Sequence, residues 1–184
     1  GDYQRTKALY VESLAYRRRV GDKADIASTL NNLGILASYQ ADYGATQQFY
    51  EESLALRRAI GDKIGVAVSL NNLGIVAKEQ GDRARALALY EESLAVSLTV
   101  GDNYSATYPR GNIATLYQQQ GNYQAAQTLY SENLRQRQAM GDKWGTASTL
   151  LSLGDVAAGL GDYQAAHARY VESLTMLQAM GDKQ

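Results

Sequence analysis

The feature that most constrains this 184-residue chain is punctuation at a fixed interval. Gly-Asp stands at 21–22, 61–62, 101–102, 141–142 and 181–182, a period of 40. A second series falls halfway between, at 1–2, 81–82 and 161–162, and Ala41-Asp42 and Gly121-Asn122 complete it. The segments between are copies: 21–40 and 61–80 share 12 of 20 residues, and 1–20 and 161–180 share 10 of 20. A period of this length means a repeat array, and it fixes the fold before any single residue is read.

Each 20-residue unit reads as one helix. Glycine tolerates the left-handed conformation that ends a helix, and Asp or Asn accepts the free N–H groups that begin the next. About 17 residues lie between stops, or roughly 25 Å at 1.5 Å per residue. Ile26, Leu30, Leu33 and Ala37 recur at helical spacing, as do Tyr43, Tyr50, Leu54 and Arg57. The single proline suits long helices. The expectation is nine helices of two kinds: an inner type at 21–40, 61–80, 101–120 and 141–160, and an outer type at 1–20, 41–60, 81–100, 121–140 and 161–180. Two-residue links force antiparallel neighbours, and a chain of such hairpins stacks into an all-α solenoid. The organisation expected is one domain over 1–184: a half repeat at 1–20, full repeats at 21–60, 61–100, 101–140 and 141–180, cut from a longer chain.

Composition removes several functions. No cysteine means no disulfide framework, thiolate nucleophile or thiolate-bound metal. One histidine excludes a multi-histidine metal site, so neither metal nor cofactor is expected. With 18 Lys+Arg against 19 Asp+Glu the chain lacks the basic surface of a nucleic-acid binder. The polar start Gly1-Asp2-Tyr3-Gln4-Arg5 has no signal core, and no apolar run approaches the roughly 20 residues that cross a bilayer. A cytoplasmic protein without a membrane partner is expected.

The repeat resembles the tetratricopeptide repeat. That pattern is seen at Leu33-Gly34, Asp42-Tyr43, Thr46, Tyr50 and Ser53-Leu54, and again at Leu73-Gly74, Gly81-Asp82, Ala86, Tyr90 and Ser93-Leu94. Its last copy is Leu153-Gly154, Gly161-Asp162-Tyr163, Ala166, Tyr170 and Ser173-Leu174; the third departs, with Ile113-Ala114 for Leu-Gly. The ordinary repeat has roughly 34 residues, so this 40-residue version is similar to the long-helix subgroup of kinesin light chains, Pins-type adaptors and bacterial regulators. The resemblance covers the whole chain. It implies a right-handed superhelical solenoid whose inner helices line a concave groove for peptides or helices, and it implies that Tyr10, Tyr50, Tyr90, Tyr130 and Tyr170 are core.

The residues support that groove independently. With Leu30 set toward the core, the opposite face of 21–40 holds Asp25, Ser28, Asn32, Ile35 and Tyr39. Its counterparts are Gly65, Val68, Asn72, Ile75 and Glu79, then Ser105, Tyr108, Asn112, Thr115 and Gln119, then Gly145, Ser148, Ser152, Asp155 and Gly159. Three charges in these twenty positions are too few for a merely solvated face. Asn32, Asn72 and Asn112, with donor and acceptor on one side chain, suit the backbone of an extended peptide, or bond neighbouring helices instead. Asn31 and Asn71 flank them. Ile35, Ile75 and Val68 offer an apolar floor, or pack between inner helices. Tyr39, Tyr104, Tyr108 and Trp144 are candidate anchors.

The segment 101–120 breaks the pattern. Pro109 removes a helical hydrogen bond, Arg110 stands where Leu30, Leu70 and Leu150 do, and Gly111 stands for Asn31. Either a special site surrounds Tyr104, Tyr108, Arg110 and Asn112, or the repeat has drifted. Arg110 and Lys78 are the groove's expected cations. Arg17-Arg18-Arg19, Arg57-Arg58 and Arg135/Arg137 complement helix C-termini, and Glu12, Glu52, Glu92, Glu132 and Glu172 form a solvated convex ladder. His167 reads as a surface residue, and no catalytic constellation is found. The expectation is a non-enzymatic module binding a protein or peptide. The alternatives are a scaffold stacking head-to-tail through uncapped terminal repeats, and a sensor arm of a bacterial signalling regulator.

Overall fold

A computed structural model of the chain describes residues 3–181, and within them every element is a helix. The helices are α1 (Tyr3–Val20), α2 (Lys23–Ser38), α3 (Tyr43–Ala59), α4 (Lys63–Glu79), α5 (Arg83–Thr99), α6 (Asn103–Gln119), α7 (Tyr123–Ala139), α8 (Lys143–Gly159) and α9 (Tyr163–Gly181). The Gly1-Asp2 signal and Asp182 lie outside the described residues. Elsewhere the punctuation works as its chemistry requires. Asp42, Asp62, Asp82, Asp102, Asp142 and Asp162 each accept a backbone N–H three residues on, and Asn122 does the same. The glycines before the caps have φ of 69–87°. At the one turn without glycine, Ala41 is held at φ 55°, against its preference.

Among the described residues there are nine helices, as expected from sequence. They form two compact units, Gly1–Gly101 and Asp102–Gln184, and within each unit consecutive helices pack on one another. In the first, α1, α3 and α5 form one layer, tied by Arg18–Glu52 and Arg58–Glu92 ion pairs at 2.6 Å and by Arg85–Glu51 at 3.2 Å. Of the glutamates read as a solvated ladder, Glu52 and Glu92 are thus cross-helix partners, whereas Glu172 pairs with Arg169 on its own helix. The other layer is α2 and α4. Between the layers lie two clusters, Leu14, Ile26, Leu30 and Leu33, then Tyr50, Leu54, Val66, Leu70, Leu73 and Val76. In the second unit α6 and α8 pack on α7 and α9 around Tyr130, Leu134, Leu150, Leu153 and Val156.

Two devices lock the α2–α3, α4–α5 and α8–α9 hairpins. Ser53, Ser93 and Ser173 donate buried hydroxyls to the carbonyls of Ala27, Ala67 and Ala147, at 2.7–2.8 Å. The rings of Tyr50, Tyr90 and Tyr170 lie flush on Gly34, Gly74 and Gly154, where a Cβ would overlap them. Leu-Gly in one helix and Tyr in the next are therefore two halves of one contact.

Within each unit, successive hairpins are joined by arginine rather than by apolar contact alone. Arg57 is buried and donates to the carbonyl of Gly65 at 2.7 Å and to Ser69 Oγ at 3.3 Å. Burial lowers its pKa, opposed by the nearby Asp62 carboxylate. Arg17 makes the same reach to Asp25 O at 2.9 Å. These arginines do more than complement helix ends. The Arg57 stem lies over Gly65 and the Arg137 guanidinium over Gly145, and both glycines are buried, away from the exposed face.

Candidate functional site

In the first unit the inner-helix face is built on α2 and α4, side by side. Asn72 Nδ2 donates to Asn31 Oδ1 at 3.1 Å, so this pair of asparagines ties the two helices together. Asn31, Asn32, Asn71 and Asn72 are all half-buried. Ile35 and Ile75, one repeat apart, are 38% and 39% exposed, and Val68 is half-buried. Tyr39 caps the end of α2 and is 82% exposed. Lys78 is half-buried and lies 3.2 Å from Glu79. The face is an amide row beside exposed apolar carbons, with little net charge.

In the second unit the face is built on α6 and α8. Tyr108 donates its hydroxyl to Tyr104 at 2.8 Å, and the rings meet edge to face at 5.5 Å. Donating that hydrogen bond, and partial burial, push the Tyr108 hydroxyl up to about 12. The Arg137 guanidinium sits 5.5 Å from the Tyr108 ring centroid. Asn112 is half-buried, and Trp144 is exposed. A cleft of about 180 Å³ opens beside Tyr108, Gly111 and Asn112 of α6, Asn133 and Arg137 of α7, and Ser152 of α8.

Arg110 does not belong to this face. It is 2% exposed and turned toward α7, donating to Gln136 Oε1 at 2.6 Å, with Glu132 at 3.6 Å. Burial lowers its pKa, opposed by Glu132. The reason is positional: residue 110 takes the core direction of Leu30, Leu70 and Leu150, and its partner Gln136 stands where Leu56, Val96 and Met176 do. Pro109 is buried within α6, which runs unbroken from 103 to 119. His167 is exposed on α9.

The sequence reading missed Asn133. It takes the place of Ser53, Ser93 and Ser173 and donates Nδ2 to Thr107 O at 2.9 Å, preserving the hairpin link. A polar-for-polar change hides it, though it breaks an otherwise invariant serine column. A second cleft of about 430 Å³, beside Arg58, Lys63, Val66, Glu92, Val96 and Thr99, was also unforeseen. Among the described residues, no group of three His, Asp or Glu side chains is placed to hold a metal ion. No described helix is long and apolar enough to cross a membrane.

The sequence matches the tetratricopeptide repeat family model over residues 1–59, 40–98 and 104–179. No curated protein matches it at a significant level. Among solved structures, BtubC (BKLC) from P. vanneervenii is similar with TM-score 0.86 and 24% identity, over 98% of this chain and 75% of that one. A Podosopora anserina protein with nearly identical TPR-like repeats has TM-score 0.73 and 15% identity, over 100% and 90%. The tetratricopeptide-sensor STAND protein of Pyrococcus horikoshii has TM-score 0.80 and 17% identity, over 98% and 29%. At these identities the likeness is one of fold.

Proposed function

Because this chain belongs to the tetratricopeptide repeat family, we propose that its inner-helix faces bind an extended peptide segment of a partner protein. The observation that carries this reading is Ile35 and Ile75, exposed one repeat apart beside half-buried Asn32 and Asn72. Two large aliphatic side chains repeated on a face poor in charge expose apolar area that solvation alone does not explain. An extended peptide brings unpaired N–H and C=O groups at regular intervals, and a carboxamide answers either. In this reading Asn32, Asn72 and Asn112 take the peptide backbone, with Asn31 and Asn71 steadying them. Ile35, Ile75 and Val68 take apolar side chains, and Tyr39, Tyr104 and Tyr108 are aromatic anchors. Catalysis has no part in it.

The test is capture from a random peptide library by the wild-type chain and by an Asn32→Ala/Asn72→Ala/Asn112→Ala variant, both checked for helicity and mass. A wild-type motif whose affinity drops tenfold or more in the variant supports the reading. Equal binding by both would assign the asparagines to helix–helix bonding, the role Asn72 already has with Asn31.

A second reading is stacking between copies. Leu174 is 55% exposed although its counterparts Leu54 and Leu134 are buried, and Leu9 is 59% exposed although Phe49, Leu89 and Leu129 are half-buried. Each of these two side chains suits contact with a repeat of another copy. A mass that grows with concentration and returns to the monomer value in Leu174→Lys would favour it. The Pyrococcus horikoshii relative is named for a tetratricopeptide repeat sensor, and a sensor arm would use the same peptide-binding face.

A further inference from the structure

We infer that the cleft between α6, α7 and α8 is a pocket for one side-chain carboxamide, an asparagine or glutamine of the bound peptide; this rests on the peptide-binding reading and adds its specificity.

The cleft follows from three departures from the repeat. Gly111 stands where Asn31 and Asn71 do, Thr115 where Ile35 and Ile75 do, and Asn133 where the hairpin serines do. In the first unit the position of Gly111 is filled by Asn31, bonded to Asn72. Removing that side chain opens space. A Cβ at 111 would come within 3.2 Å of Asn133 Nδ2, so glycine also leaves room for the asparagine.

Two buried groups at this cleft have unused hydrogen-bonding capacity. Asn133 is 2% exposed, and its Nδ2 donates to Thr107 O, which fixes the amide the other way round. Its Oδ1 is buried without a protein partner. Arg137 gives Nη1 to Asp142 at 2.7 Å, while its Nε is buried without a partner. The two residues are four apart on α7, on one face. Unlike the single unmatched hydroxyls of Tyr90 and Ser97, this acceptor and this donor lie on one helix face, and each costs stability until a partner meets it. The neighbouring hydroxyls of Thr149 and Ser152 spend their protons on Gly145 O and Ser148 O, leaving oxygen lone pairs. The pocket therefore asks for one acceptor, to meet Arg137 Nε, and for N–H donors to meet Asn133 Oδ1 and the hydroxyls.

A carboxamide supplies both on one planar group. A carboxylate could meet Arg137, whose charge Asp142 already pairs, but it has no proton to give and would set its own charge against Asn133 Oδ1. An ammonium has no acceptor and would face the Arg137 charge. At about 180 Å³ the cleft lies below the roughly 300–1,000 Å³ of a small-molecule site, so one side chain fills it.

The probe is a displayed random dodecapeptide library selected against the wild-type chain, Asn133→Ser and Thr115→Ile. Serine at 133 should keep the link to Thr107 O, as Ser53 keeps its own, while deleting the carboxamide acceptor. The expected result is Gln or Asn enriched at one fixed position by wild type, with a tenfold or greater loss of that preference in both variants. The rest of the motif should survive. A motif without a carboxamide position, or the same Gln/Asn preference in Asn133→Ser, overturns this inference and leaves peptide binding standing. A library from which wild type enriches nothing overturns both.

Discussion

The same three-helix arrangement occurs at α2–α3–α4 and, eighty residues on, at α6–α7–α8, with different contents. In the first it is packed. Leu30 faces Leu33 and Ile26 in an apolar cluster, Tyr50 lies on Gly34, Ser53 pins Ala27, and Arg57 is satisfied by Gly65 and Ser69. In the second Arg110 replaces Leu30, Gln136 replaces Leu56, Asn133 replaces Ser53 and Ala114 replaces Gly34. The helices are nevertheless of matching length. A solenoid hairpin therefore accepts a polar interior when the changes come as a set: buried arginine with half-buried glutamine, and longer amide with missing neighbour. Any one of them alone would leave a buried charge or a clash. Arg137 records the outcome, for it sits on Tyr108 with one nitrogen unmatched where Arg57 is engaged with its neighbouring helix.

The sharpest way to break this comparison is at the tyrosine seat. Gly74→Ala drives a methyl into the Tyr90 ring, which is fully buried and has nowhere to turn. A loss of about 3 kcal/mol is expected in urea unfolding. Ala114→Gly, the reverse change at the equivalent position, should cost only about 1 kcal/mol of helix propensity. Equal costs would mean the two seats do not differ.

The buried pair comes next. Arg110→Ala should lose about 2 kcal/mol, below the ~3–5 kcal/mol for a fully buried pair because Glu132 is partly exposed. Arg110→Leu with Gln136→Leu restores the contents of the first hairpin and should fall within about 1 kcal/mol of wild type. A double variant that unfolds would show that the polar set is required by something beyond the hairpin.

Tyr50 gives a pH signature of the packed hairpin. Burial pushes its hydroxyl up to about 12, from an ordinary value of 10. The folded state thus holds the proton more tightly. This contribution to stability is complete below pH 10 and is lost as pH rises through 12. Unfolding free energy measured from pH 9 to 12 should decline less steeply in Tyr50→Phe than in wild type. The smallest effect is expected on the outer layer. Arg58 and Glu92 are both about half exposed, so a double-mutant cycle should give roughly 0.5 kcal/mol, vanishing in 1 M salt.

Much of this was legible in the sequence because the signals are local. Gly-Asp fixes where a helix stops and starts through its own backbone, and a 40-residue period says which helices are equivalent. The tyrosine column was readable as core, which holds at Tyr50, Tyr90 and Tyr130 while Tyr10 and Tyr170 are half-buried, and Arg110 was readable as an anomaly. Its destination was not, because the helical angle gives a direction, while Gln136 is 26 residues away on another helix. Gly65 and Gly145 were assigned to the open face for the same reason: an arginine from the preceding helix reaches over them. The candidate face was legible as a row of positions. Which asparagines already bond one another, as Asn31 and Asn72 do, depends on the separation of two inner helices. Asn133 was missed because its change from serine alters neither charge nor polarity.

The central claim, that partners lie on the inner-helix faces, is tested most directly by isoleucine methyl spectra of the full chain titrated with a library-selected peptide. The six isoleucines divide cleanly. Ile35 and Ile75 lie on the α2/α4 face, Ile26 and Ile113 are buried, and Ile60 and Ile64 are exposed at the turn between α3 and α4. The account predicts saturable shifts at Ile35 and Ile75 with Ile60 and Ile64 still. Shifts at Ile60 and Ile64 with Ile35 and Ile75 unmoved would contradict it.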